Sequence, residues 1–155
     1  MLRHRDALYA FAARLTRDGE QALDVTQETF LRAFGALTKF RGESAFRTWL
    51  FSIALNGVRS AARRRAREPV RAEPAALEMA DPNPGPDRTS GDAEEVEHVA
   101  RLLVRLPPKQ RAAVALRVYE EMSFREIGHV LGCAEGAARV NYHHGIQKLR
   151  EMMKS

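Results

Sequence analysis

A chain of 155 residues that is 45% hydrophobic, with a net charge of +5, suits one domain or two small ones and is too apolar for disorder throughout. Its single cysteine, Cys133, excludes an internal disulfide, argues against a thiol-based metal site, and fits a reducing compartment. No signal-peptide core follows Met1-Leu2-Arg3, and no apolar run nears the roughly 20 residues that span a bilayer, so a cytoplasmic protein is expected.

Charge is unevenly spread. Residues 1–67 carry 13 Lys/Arg against 6 Asp/Glu, residues 68–98 carry 2 against 9, and residues 99–155 carry 10 against 5. Two basic blocks around an acidic connector suit a two-part binder of a polyanion.

Leu8, Phe11, Ala12 and Leu15 recur at helical spacing, so residues 2–16 are expected to form an amphipathic helix. Arg17-Asp18-Gly19 reads as a turn. A second helix is expected from about Gln21, with a buried stripe of Val25, Thr29 or Phe30, Ala33, Phe34 and Leu37. Its other face carries Asp24, Gln27, Glu28, Leu31 and Arg32. Residues 38–43 form a loop that Gly42 allows to bend sharply.

Ser44 can cap a third helix, whose apolar positions 46, 49, 50, 53, 54, 58 and 61 make one greasy face containing the only tryptophan, Trp49. Trp49 is expected in the core. The helix ends in Arg63-Arg64-Arg65, preceded by Arg59. A cationic helix end near an aromatic loop suits a nucleic-acid strand, since cations hold phosphate and rings stack on unpaired bases. From this stretch alone, a core helix with a solvated arginine end reads equally well.

Residues 66–95 hold five of the seven prolines and no aromatic residue. They read as a flexible acidic linker, too polar to repay the entropy of ordering. A short helix is expected over Val96–Leu106. Pro107-Pro108 stops it, and Pro108 opens the next helix, expected over 108–120. Ser123-Phe124-Arg125-Glu126 is a capping box, Ile127, Val130 and Leu131 form a buried side, and Gly132 closes that helix. A last helix is expected from Glu135 to Met152. A capped short helix, a glycine turn and a longer helix with polar donors make a helix-turn-helix. Ala134, where a cap would sit, has no side-chain acceptor.

His143 and His144 are adjacent and point about 100° apart on a helix, so they do not share a metal. No carboxylate pair, metal set or nucleophile with its base appears outside the linker. The expectation is a chain that is not an enzyme, with no cofactor, no metal and no small-molecule substrate.

Four motifs in order then carry a resemblance. They are Asp24-Val25-Thr26-Gln27-Glu28-Thr29-Phe30-Leu31-Arg32-Ala33-Phe34, Phe40-Arg41-Gly42-Glu43-Ser44-Ala45-Phe46-Arg47-Thr48-Trp49-Leu50, Leu106-Pro107-Pro108-Lys109-Gln110-Arg111 and Met122-Ser123-Phe124-Arg125-Glu126-Ile127-Gly128. With these the chain resembles the extracytoplasmic-function sigma factors of bacterial RNA polymerase over nearly its whole length.

The resemblance implies an all-α fold of two small domains. Residues 1–67 would be a helical bundle that binds core polymerase and reads the −10 element. Residues 68–95 would be the linker, and 96–155 a four-helix domain whose helix-turn-helix reads the −35 element. Asp24, Gln27, Glu28, Leu31 and Arg32 would face the polymerase clamp coiled coil. Phe40, Arg41, Ser44, Phe46, Asn56, Arg59, Arg63 and Arg64 would serve the melted −10 strand. Arg117, Arg125, Arg139, Val140, His143 and His144 would face the −35 duplex. The implied partners are core RNA polymerase through its clamp and flap, promoter DNA, and an anti-sigma factor able to hold the protein at the membrane. A free-standing helix-turn-helix regulator is the competing reading, and it has no use for the face from Gln27 to Phe34.

Overall fold

The computed structural model describes residues 2–40, 42, 45–67 and 90–154. Among them are seven α-helices and one 3₁₀ turn, with no strand. The chain divides into two compact units, Met1–Ala80 and Asp81–Ser155.

In the first unit α1 spans Leu2–Thr16, α2 Gly19–Ala36 and α3 Phe46–Arg67. All three pack on one another. Leu8, Phe11, Ala12 and Leu15 of α1 are buried as their spacing requires, and the ring of Phe11 meets that of Phe51 edge-on at 5.2 Å. The turn before α2 is also its cap. Asp18 accepts from the Gln21 amide at 3.1 Å, so α2 starts two residues earlier than expected. Arg17 takes a left-handed φ of 54° to make that turn. The second carboxylate oxygen of Asp18 accepts from Arg65 Nη2 at 3.2 Å, pinning the end of α3 to the start of α2.

The inward face of α2 differs from the expected stripe. Ala22, Val25, Thr26, Thr29 and Ala33 are buried, while Phe34 is 63% exposed and Leu37 46%. Small residues line that face because the helices approach closely: a Cβ on Gly57 of α3 would stand 3.2 Å from Val25 Cγ1. The buried hydroxyls of Thr26 and Thr29 donate to the carbonyls four residues back, at 2.7 Å each.

On α3 the buried stripe is Thr48, Leu50, Phe51, Ala54, Leu55 and Ala61. Phe46, Trp49 and Ile53 are only half-buried, so the true stripe is turned by roughly one residue, about 100°, from the expected one. The bulk of Trp49 and Phe46 suggested a core. In fact these rings pack with Phe40 from the preceding segment. The expected cap Ser44 lies outside the described residues.

In the second unit α4 spans Ser90–Leu103, α5 Pro108–Val118, α6 Phe124–Leu131 and α7 Glu135–Lys154. The helix expected over Val96–Leu106 begins at Ser90, so residues 90–95, read as linker, are helical. Pro108 occupies the first turn of α5, and Arg111 donates back to the carbonyls of Val104 and Leu106 at 2.8 and 2.9 Å. Burial holds the Arg111 pKa below its ordinary value. The capping box forms in full, with Glu126 N to Ser123 Oγ at 3.1 Å and Ser123 N to Glu126 Oε1 at 3.2 Å. Gly132 ends α6 at φ 75°, as the sequence requires. Leu103, Leu116, Met122, Ile127 and Ala138 are fully buried in this unit. Among the described residues no helix is long and apolar enough to cross a membrane.

A test of this packing lies at Gly35, near the end of α2, where an added Cβ meets nothing within 4 Å. Glycine in a helix costs up to about 1 kcal/mol relative to alanine. Gly35→Ala should raise the melting temperature of the first unit, followed through Trp49 fluorescence, and unchanged melting would mean that this turn of α2 is frayed.

Candidate nucleic-acid and protein interfaces

Three surfaces carry the residues singled out by the sequence. The first is the aromatic start of α3. The ring centroids of Phe40 and Trp49 are 5.0 Å apart, those of Phe46 and Trp49 5.6 Å, and those of Phe40 and Phe46 5.9 Å. All three rings are half-buried, so each keeps exposed surface. His4 of α1 joins them, 6.0 Å from Phe46, a contact that no local sequence signal announces. Arg41 and Ser44, the other residues expected here, lie outside the described residues.

Trp49, Ser52, Asn56, Arg59 and Arg63 follow at steps of three and four, so they share one line along α3. Asn56 and Arg63 are exposed and Arg59 half-buried. Arg63 Nη2 donates to Ser60 Oγ at 3.1 Å. The line therefore runs from stacking rings through an amide to cations, the sequence of groups that suits an unpaired strand. Arg64 sits apart from it. With Arg65 it lines a groove of about 280 Å³ alongside Asp18, Glu20, Asp24 and Glu28, where carboxylates offset its charge.

The second surface is the outer side of α2. Asp24, Gln27, Leu31 and Arg32 are exposed and Glu28 half-exposed. Arg32 Nη2 reaches Glu28 Oε1 at 2.8 Å, an exposed i, i+4 pair that holds both side chains against the helix. Beside this polar strip runs an apolar ridge of Leu23, Leu31, Phe34 and Leu37, exposed by 50%, 72%, 63% and 46%. Large apolar groups in such a row mark an interaction surface. Of the four, sequence reading singled out only Leu31. Phe34 and Leu37 read as core because they follow Phe30 and Ala33 at steps of four, yet Phe34, nine residues on from Val25, points to the opposite side of α2.

The third surface is the helix-turn-helix. Arg139, Val140, His143 and His144 are all exposed, and their spacing groups them on one side of α7. Arg117 at the end of α5 joins them through Phe124. Its guanidinium carbon lies 4.5 Å from the Phe124 centroid and its Nη1 donates to the Met122 carbonyl at 2.9 Å. Arg139 lies over the same ring at 5.1 Å. Arg125 is exposed and lines a hollow of about 440 Å³ around the turn, with His129, Cys133 and Glu135. A cationic, solvent-facing helix after a tight glycine turn has the form that enters a major groove.

Known proteins share this arrangement. Residues 1–68 match the family Sigma-70 region 2, and residues 97–149 match Sigma-70, region 4. The chain is 36% identical to the RNA polymerase sigma factor CarQ of Myxococcus xanthus, over 97% of this chain and 85% of that protein. It is 36% identical to the ECF RNA polymerase sigma factor SigE of Mycolicibacterium smegmatis over 97% of its own length, and spans 58% of that longer relative. Among solved structures it resembles the sigma factor RpoE of Bartonella quintana, determined in complex with the anti-sigma factor NepR. The TM-score is 0.75 at 26% identity, covering 99% of this chain and 93% of that one. CnrH, solved with the cytosolic domain of CnrY, gives a TM-score of 0.68 at 26% identity, covering 99% and 84%. With both regions matched in order and relatives aligned along nearly its whole length, the chain belongs to the extracytoplasmic-function sigma factors of bacterial RNA polymerase.

Proposed function

We propose that the protein joins core RNA polymerase through the outer side of α2 and directs initiation at promoters read by its two units. The observation that carries this is the line on α3 from the Phe40–Phe46–Trp49 rings through Asn56 to Arg59 and Arg63. A base unstacked from the non-template −10 strand gains a ring surface there, and the backbone on either side meets cations. Unstacking costs a few kcal/mol, which the pocket returns only for the fitting base. Specificity thus arises from binding alone, and the reading assigns the chain no covalent chemistry.

The second unit takes the −35 duplex, with Arg139 the donor best suited to a guanine edge and Val140 able to meet a thymine methyl. In this reading residues 68–89 tether the two units, which engage the two elements together, and the second unit also meets the polymerase flap. The apolar ridge on α2 extends the clamp-binding set to Leu23, Phe34 and Leu37. An anti-sigma factor that covers these surfaces would silence the protein; RpoE has been solved in complex with the anti-sigma factor NepR, and CnrH with the cytosolic domain of CnrY. The work so assigned belongs in the cytoplasm.

The test is the salt dependence of promoter binding by the reconstituted holoenzyme. Each phosphate contact to a single strand adds about 0.7 to the slope of log affinity against log salt. Arg63→Ala should lower that slope by about this amount on a template with an unpaired −10 strand. An unchanged slope would reject the assignment of the α3 line.

A further inference from the structure

Phe124, the first residue of α6, is absent from every set of groups expected to touch DNA, yet the cations of the recognition surface meet on it. Its ring lies 4.5 Å from the guanidinium of Arg117 and 5.1 Å from that of Arg139. The rings of Tyr142 and His143 stand 5.5 and 6.1 Å away. Arg117 has a second anchor in the Met122 carbonyl. Among the described residues Arg139 has, besides the ring, Glu135 at 3.6 Å, and both of those side chains are about half exposed. A long, solvated pair of that kind restrains little. The ring is therefore the contact that limits the rotamers of Arg139.

Stacking uses the flat face of a guanidinium and leaves its N–H edges free. An arginine held this way presents two parallel donors, the arrangement that pairs with guanine O6 and N7. An arginine released from the ring must be ordered on binding and takes a backbone phosphate as readily as a base, which carries no sequence information. We propose that Phe124 is a positioning residue for −35 recognition: it fixes the guanidinium of Arg139 for base readout, so the base preference expressed by Arg139 depends on this ring. The proposal rests on the reading that α7 enters the major groove.

The experiment uses holoenzyme reconstituted from the full chain and core polymerase, with a promoter library randomised across the −35 element. Wild type, Arg139→Ala, Phe124→Leu and Phe124→Tyr are compared by the base preference at each position. Leucine keeps an apolar side chain and leaves the Ser123–Glu126 cap intact, so the unit should still fold, and melting of each variant reports what loss of the ring costs. Arg139→Ala should flatten preference at one base pair. Phe124→Leu should weaken preference at that same pair about three- to tenfold, the scale of ordering one long side chain, and Phe124→Tyr should restore it. Equal weakening of all sequences by Phe124→Leu, with preference retained, would show that the ring only supports the fold and would overturn the proposal while leaving the groove reading intact. If Arg139→Ala changes no position, the groove reading fails and the proposal with it.

Discussion

Leu31→Asp should reduce affinity for core RNA polymerase at least about 100-fold, close to 2.8 kcal/mol. Leu31 is 72% exposed in the chain alone, so an aspartate there costs the fold almost nothing. Docked on an apolar partner surface, a leucine contributes roughly 1.5–3 kcal/mol by leaving water. A carboxylate in its place must be desolvated as well. Phe34→Asp should act similarly, since Phe34 lies three positions along the same ridge. Arg32→Glu should weaken binding less, because it mainly breaks the exposed pair with Glu28. Binding is measured with labelled protein titrated by purified core enzyme, and Trp49 fluorescence melting reports the fold. Wild-type affinity in Leu31→Asp would remove α2 from the polymerase interface.

Gly128→Val should destabilise the second unit by about 3 kcal/mol and abolish dependence on the −35 element. A Cβ on Gly128 would stand 2.7 Å from the Cys133 carbonyl oxygen, a backbone atom. That turn has little room to retreat. The amides of Gly132 and Cys133 both donate to the Gly128 carbonyl, at 2.8 and 2.9 Å, and Gly132 holds a left-handed φ. The gain in helix propensity from replacing glycine is at most about 1 kcal/mol and does not offset an overlap with fixed backbone. The only tryptophan belongs to the first unit. Its fluorescence should therefore melt as in wild type, while helical circular dichroism falls in an earlier step. A single unshifted transition would contradict the prediction.

The sequence was most legible where local chemistry decides. Ser123, Glu126 and Gly132 each do one thing at one end of α6, and their residue types announce it. Leu8, Phe11, Ala12 and Leu15 were legible because α1 offers only one apolar face. The inward sides of α2 and α3 were not. Each helix has two apolar stripes, and hydrophobicity alone does not say which one packs. Ala22, Ala33 and Gly57 decide it, since only small residues allow these helices to approach so closely, and the larger Phe34, Leu37 and Trp49 are left outward. The start of α4 was not legible because the acidic, weakly apolar composition of the linker continues across residues 90–95, which are helical. The cluster on Phe124 was hidden for a different reason. It joins residues 117, 124 and 139 from three helices, and no spacing in the chain signals that meeting.

Run-off transcription with purified core RNA polymerase, the full chain and a promoter library decides whether the protein is an initiation subunit. New initiation should appear at a restricted set of sequences sharing two separated elements, and should be lost when Leu31→Asp replaces the wild type. Addition of the wild-type chain with no initiation beyond that of core enzyme alone would contradict that role.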